Sequence, residues 1–532
     1  MAPALALQAD VYARALDARD ARFDGVFFVG ITTTRIYCRP VCPARVSYRD
    51  HRRFFRSAAA AEREGFRPCM RCRPELAPGL ALIDAVPRLA HDAAKRIAAG
   101  ALNGHTVADL ARDLGVSERH LRRALEREIG ASPLELAQTH RLLLAKRLLA
   151  DTGLTITRIA YASGFQSLRR FNAAFREHYR MAPSAFRVSP RGHGGALAGV
   201  PGDAPVRLTL AYRAPLAWDA LLAFLRHDAV DGMEIVDGSR YGRTVQLEGH
   251  SGFVFIENAG RPAAGTHGPG QANAITGNAP RRARVSTSHV NVAISPSLVP
   301  ALMPLLARLR QLLDLDAEPT VIDAHLSQGR LEALVARQPG MRIPGAFDGF
   351  DVALRAILRG RAPDGRVDQT SNDLPARVVA ALGEPIETGI AGLSRLAPSA
   401  ARVVDAGAAF LESLGTPPLR ASAAIDVARL VADRKMLAPG SDPIETLRLL
   451  TEIDGVGDHL AHVIVMRALS WTDAIPITDA VLQRVAGVSS ASALDACAEQ
   501  WRPWRTYATL HLWLEDEARE SAANISRPAR TG

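Results

Sequence analysis

The chain has little cysteine and few aromatic residues: five Cys, and an aromatic share of 5%, in 532 residues. Five thiols cannot staple a chain of this length, so a disulfide framework is excluded and a reducing compartment is expected. Nowhere does the sequence approach the ~18 uninterrupted apolar residues of a membrane helix. Met1 to Asp20 has no basic start before its apolar residues and meets Asp10 early, which argues against a secretory leader. Gly and Pro, at 41 and 33 residues, are at ordinary levels, so collagen-like and low-complexity chains are excluded as well. The 48% hydrophobic and 23% charged residues fit a folded cytoplasmic protein with roughly three or four cores.

The excess of basic over acidic residues belongs entirely to the first third. Residues 1–190 hold 31 Lys+Arg against 18 Asp+Glu, an excess of +13, while the remainder holds 34 against 37. Asymmetry of this size points to a polyanion partner for the N-terminal third, nucleic acid above all, and the resemblances below make that partner double-stranded DNA, with no membrane expected.

Four of the five cysteines fall in one pattern, Cys38-x3-Cys42, twenty-six residues, then Cys69-x2-Cys72. Two short pairs separated by a loop suit tetrahedral coordination of one Zn2+ by four thiolates, each pair gripping two corners. Arg35, Arg39, Arg45, Arg67, Arg71 and Arg73 crowd these ligands, with Pro40, Pro43, Pro68 and Pro74 stiffening the turns. Such arginines would set a phosphate backbone beside a metal thiolate, the nucleophilic form of cysteine.

The run from Phe28 to Cys72 resembles the N-terminal domain of the Ada adaptive-response regulators. It carries Thr33-Thr34, Ile36-Tyr37-Cys38-Arg39-Pro40, Cys42-Pro43-Ala44-Arg45 and Gly65-Phe66-Arg67-Pro68-Cys69. The resemblance implies irreversible methyl transfer from DNA methylphosphotriesters to Cys38, with Cys42, Cys69 and Cys72 as the other ligands. It also implies backbone contacts to DNA at Thr34, Arg45, Arg67 and Arg71. That family's usual C-terminal transferase motif, Pro-Cys-His-Arg, does not occur in this chain.

From Leu89 to Arg187 apolar residues recur at spacings of three and four, the helical period. Thr106 and Ser117 are placed to cap two helices about Gly115. The second would bury Leu121 and Leu125 and present Arg119, His120, Arg122 and Arg123. A related unit turns at Gly164-Phe165, burying Phe171 and Phe175 and presenting Arg169, Arg170 and Asn172. Two helix-turn-helix units joined by a helical run, Pro133–Ala150, resemble the AraC-type domain. The closing Met181-Ala182-Pro183-Ser184-Ala185-Phe186-Arg187 fits it too, with Arg180 where glycine is usual.

Residues 188–205 read as a linker. Strands are expected at Val206–Tyr212, Arg243–Gly249, Gly252–Glu257 and Val285–Ser295. Helices are expected at Trp218–His227 and Val299–Leu313, with a Gly/Pro-rich insertion at Glu257–Arg284. Helical periodicity dominates from about Pro319. Within it, Ile453-Asp454-Gly455-Val456-Gly457 is a turn whose exposed amides suit a phosphate. Thr478-Asp479, Trp501 to Tyr507 and His511-Leu512-Trp513 follow, after Pro339–Gly345 and Arg355–Leu358. Together these resemble AlkA-type 3-methyladenine DNA glycosylases from about Val206 to Glu517, and the resemblance makes Asp479 the catalytic aspartate. Three positions depart from that pattern. His459 and Val463 stand where the family carries aromatics, and Arg359 to Gly365 replaces a helix start that wedges DNA. Trp471, or an aromatic elsewhere, is the expected substitute for stacking, and Cys497 reads as a core residue.

The expected architecture is multidomain. A small α+β zinc domain (1–80) and an all-α paired helix-turn-helix domain (85–187) come first. After the linker follow a small α+β domain (206–318) and an all-α helix-hairpin-helix glycosylase domain (319–525). The expected function is repair of alkylated DNA by methyl transfer and base excision, coupled to transcriptional activation with RNA polymerase as a partner. The rival reading is a transcriptional regulator whose glycosylase-like half only binds DNA.

Overall fold

The computed structural model describes residues 3–44, 47–79, 88–187, 204–259, 288–360, 373–434 and 436–525. Arg45, nearly all of the linker, the insertion from residue 260 and the loop 361–372 lie outside them. The chain forms two compact units. One comprises Met1–Arg213, Asp237–Arg240 and Phe255–Ala307; the other comprises Ala214–Val236, Tyr241–Val254 and Arg308–Gly532. No helix among the described residues is long and apolar enough to cross a membrane.

Strands β1 (Phe28–Ile31), β2 (Ile36–Cys38), β3 (Arg52–Phe55) and β4 (Arg67–Pro68) make a sheet in the order β3-β1-β2-β4. β2 and β4 run parallel with Tyr37 opposite Pro68, so the chain emerges with Cys38 and Cys69 side by side. β1 must carry glycine at Gly30, because a Cβ there would meet the Phe55 and Phe66 rings at 2.7 and 2.8 Å.

The expected helix pairs are Val107–Asp113 with Glu118–Glu128, and Ile156–Ala162 with Leu168–Tyr179, joined by Pro133–Asp151. Each starts where a hydroxyl meets an orphan amide. Thr106 and Asp109 cap each other reciprocally, as do Ser132 and Glu135, while Ser117, Thr155 and Ser167 accept single bonds. Gly115 (φ +68°) and Gly164 (φ +84°) turn the chain through left-handed conformations. Arg180 ends Leu168–Tyr179 at φ +58°, a position that explains the glycine usual there.

Buried ion pairs dock the cysteine sheet on the joining helix. Lys146 Nζ lies 2.7 Å from Glu75, both side chains fully enclosed, and Arg73 grips both Asp151 oxygens at 2.8 Å. Glu62 accepts from the Tyr37 hydroxyl at 2.8 Å and from Thr139, with His178 Nε2 at 3.2 Å.

A second sheet, in the order β5-β9-β8-β7-β6, contains β5 (Val206–Ala211), β6 (Glu234–Asp237), β7 (Arg240–Leu247), β8 (His250–Asn258) and β9 (His289–Ile294). β6, only four residues long, has no sequence signal, and the expected strand from Val285 is described only from His289. Beyond it helices dominate. Gly349–Arg359, Ala400–Ser413, Pro418–Arg434, Pro443–Thr451 and Gly457–Ala468 bury Leu354, Ile357, Val403, Leu450, Ile464 and Val465 in one core.

Charge is also buried in that unit. Arg355 binds both Asp351 oxygens at 2.8 and 2.6 Å and Glu234 at 2.6 Å, while Arg467 reaches Asp228 at 2.8 Å. Arg243 approaches Glu234 and Asp351, each at 3.4 Å, and Arg359 pairs with Asp228. Burial opposes charge on Asp228 and Glu234, yet the arginines outweigh it and hold both carboxyls below their ordinary values; on Asp351 burial prevails and raises it. Arg355→Ala should therefore destabilise this unit by about 3–5 kcal/mol at neutral pH, since it strands buried carboxylates. Depressed carboxyls contribute stability above their unfolded values and lose it as pH falls. The deficit should accordingly narrow in acid, as the stranded groups take up protons. Denaturant unfolding followed across pH 4 to 8 checks this.

Candidate metal centre and DNA-repair site

The Cys38, Cys42, Cys69 and Cys72 sulfurs all lie within 4.8 Å of one another in a buried pocket. Among the sulfurs alone, hydrogen bonding with Cys42, then with Cys69 and Cys72, and burial push the Cys38 thiol well up. A dication reverses that preference because it stabilises thiolates, and a four-sulfur donor set of this size fits one Zn2+. The Arg39 and Arg71 backbone amides donate to the Cys72 and Cys69 sulfurs at 3.4 Å and so orient them. Cys38 is the most exposed of the four residues.

The surrounding arginines divide into two groups. Arg39 is buried; it pairs with Asp24 and donates to the Cys72 carbonyl at 3.1 Å, so it is unavailable to phosphate. Arg35 lies over the Phe66 ring and donates to the Glu64 carbonyl, and Arg73 is held by Glu75 and Asp151. Arg39 is the correction to the expectation that these arginines set a phosphate beside the sulfurs, since its side chain is enclosed, whereas Arg35 is exposed and Arg73 half-buried. Thr34, Arg67 and Arg71 are exposed, and Arg45 lies outside the described residues.

On the two second helices of the helix-turn-helix units, Arg119, His120, Arg122, Arg123, Arg169 and Arg170 are exposed while Leu121, Leu125, Phe171 and Phe175 are buried. Asn172 is half-buried rather than open, and so is Cys497.

The Gly-x-Gly turn lies between Pro443–Thr451 and Gly457–Ala468. Gly455 (φ +90°) and Gly457 (φ +62°) are exposed about a buried Val456. Asp479 is buried and plays two parts. Its Oδ1 caps the helix Ala480–Val485, accepting from the Val481 and Leu482 amides at 2.7 and 3.3 Å. Its Oδ2 accepts from the Trp513 indole N–H at 3.1 Å and has His459 Nδ1 at 3.4 Å. Next to it, hydrogen bonding from His462 holds the Asp458 carboxyl below its ordinary value. The aromatic beside the carboxylate is thus Trp513; Trp471 packs against the core. Nothing local in the sequence marks Trp513 as a partner of Asp479, because the two lie 34 positions apart and only folding brings them together.

A four-thiolate metal centre, paired reading helices and a buried carboxylate beyond a glycine hairpin define a DNA-repair protein that also binds DNA as a regulator. Family models match three stretches: the metal binding domain of Ada at residues 12–75, a helix-turn-helix domain at 110–189 and the AlkA N-terminal domain at 207–348. A probable bifunctional transcriptional activator/DNA repair enzyme AlkA of Mycobacterium tuberculosis is 33% identical over 508 residues, 94% of this chain and 95% of its own length. The chain belongs to that family of bifunctional AlkA proteins. Two Escherichia coli proteins resemble its parts. DNA-3-methyladenine glycosylase 2 is 29% identical over 58% of this chain and 97% of its own length. The bifunctional transcriptional activator/DNA repair enzyme Ada is 32% identical over 34% of this chain and 47% of its own length.

Proposed function

We propose that the protein repairs alkylated DNA in two ways and reports the first of them to transcription. The observation that carries this reading is the conjunction, in one chain, of the four-cysteine cluster and the buried Asp479 with its indole donor. Cys38, Cys42, Cys69 and Cys72 would hold one Zn2+, which would keep their sulfurs deprotonated at neutral pH. The Cys38 sulfur attacks the methyl carbon of a methylphosphotriester. An S–C bond forms, the C–O bond breaks, and an ordinary phosphodiester anion departs. Thr34, Arg67 and Arg71 hold the phosphate, with Arg45 as a fourth contact. The centre's formal charge then falls from −2 to −1, repulsion of DNA drops, and the paired helices bind their promoter more tightly to engage RNA polymerase. The work takes place in the cytoplasm, with the DNA.

In the second half the Gly455-Val456-Gly457 turn holds backbone phosphate without reading sequence, and an alkylated purine is flipped out. Bases methylated at N3 or N7 carry positive charge and leave readily. The site needs only a carboxylate, Asp479, to stabilise the oxocarbenium ion and orient water. The test treats the full-length protein with DNA methylated on both bases and phosphates. About one zinc equivalent, one methyl added to the chain, and free 3-methyladenine are expected. Methyl uptake without base release would leave a regulator with a DNA-binding second half.

A further inference from the structure

Where the resemblance to AlkA-type glycosylases implies an aromatic residue, this chain carries His459, and the structure sets its imidazole against Asp479. Nδ1 lies 3.4 Å from Oδ2, the oxygen that also accepts from Trp513 and that takes no part in capping the following helix. The imidazole is partly exposed, at 24%, whereas the Asp479 side chain is almost fully enclosed, at 1%. Solvent protons thus reach the histidine more easily than the carboxylate. We infer that His459 is a positioning residue that gates Asp479: as an imidazolium it ties up Oδ2, and as a neutral imidazole it releases that oxygen to the sugar. The inference rests on the glycosylase reading of this site.

The argument is electrostatic. The carboxylate's part in base excision is to face positive charge developing on the sugar. A full cation at 3.4 Å both satisfies that carboxylate beforehand and repels the ion being formed. A cationic methylated base would meet the same repulsion on entering. Asp479 faces His459 from the chain entering Ala480–Val485, and Asp458 lies beside it along its own helix, already engaged by Thr478 at 3.2 Å and His462 at 3.2 Å. The helix Arg505–Ile525 presents the uncharged Trp513 indole, 6.5 Å from the imidazole between ring centres. Histidine is the side chain whose ordinary titration falls between pH 5 and 8, so the gate opens as pH rises through that range. An aromatic at this position would stack on the base and leave no such limb.

The experiment measures release of 3-methyladenine from methylated duplex DNA by full-length protein between pH 5.5 and 8.5, for wild type and His459→Gln. With each rate scaled to that protein's own value at pH 8.5, wild type should lose about tenfold for each pH unit below the midpoint, while the glutamine variant should show no such acid limb. In parallel, imidazole resonances are followed by NMR, with His459 assigned from its absence in the variant. Its titration midpoint should move to lower pH in Asp479→Asn, which removes the anion that favours protonation. An acid limb unchanged in His459→Gln, or a midpoint indifferent to Asp479→Asn, overturns the gate and leaves the glycosylase standing. Absence of release at every pH overturns the glycosylase reading and the gate with it.

Discussion

Cys38→Ala should abolish methyl uptake from methylphosphotriester DNA, because the proposed transfer runs through the Cys38 sulfur. All four cysteines are buried, and Cys38 ends its strand beside Cys69 at the end of a parallel pair. Peptide mass spectrometry of the treated wild type should place a single added methyl on Cys38. Cys42→Ala, Cys69→Ala and Cys72→Ala also lose a ligand, so uptake alone does not separate the roles; the site of the label does. A methyl found on Cys69 or Cys72 of the wild type would move the acceptor. The regulatory consequence is smaller and has a definite sign. Removing one negative charge near phosphate is worth roughly 1 kcal/mol after screening, or about fivefold in promoter affinity. That gain should shrink at high salt, where the basic helices also lose their hold.

Motifs built from neighbouring residues were legible in the sequence, and interactions that folding creates were not. Cys38-x3-Cys42 and Cys69-x2-Cys72 announce a metal because each pair is local, and the sheet needs only to bring two local pairs together. Thr106, Ser117 and Gly115 likewise act within a few residues of themselves, and all three stand where the pattern puts them. Arginine has no such local signature. Arg39 and Arg67 look alike in sequence, yet Asp24, fifteen residues upstream, draws Arg39 inside while Arg67 stays at the surface. Arg355 is matched by Glu234, 121 positions away, and no periodicity marks such a partner. Asp479 shows how one residue can carry two readings: its Oδ1 caps the following helix, while its Oδ2, which accepts from Trp513, is the oxygen proposed for catalysis.

That division shapes the last expectation. Asp479→Asn should keep the fold, because Asn caps helices about as well as Asp and its side-chain oxygen can still accept from the Val481 and Leu482 amides. What it removes is the negative charge beside the sugar. Release of 3-methyladenine should therefore fall by about two to three powers of ten, the range seen when a single preorganised electrostatic group is taken from an active site. Affinity for DNA containing an abasic site should change far less, because the Gly455-Val456-Gly457 turn holds phosphate through its backbone. Trp513→Phe is the companion measurement. It keeps an aromatic ring beside the site but deletes the N–H that fixes Oδ2, and should cost less than Asp479→Asn. Equal release by wild type and Asp479→Asn would detach the carboxylate from the chemistry and leave it as a helix cap. A folded wild type that binds abasic DNA but releases no base would make the second half a binding module.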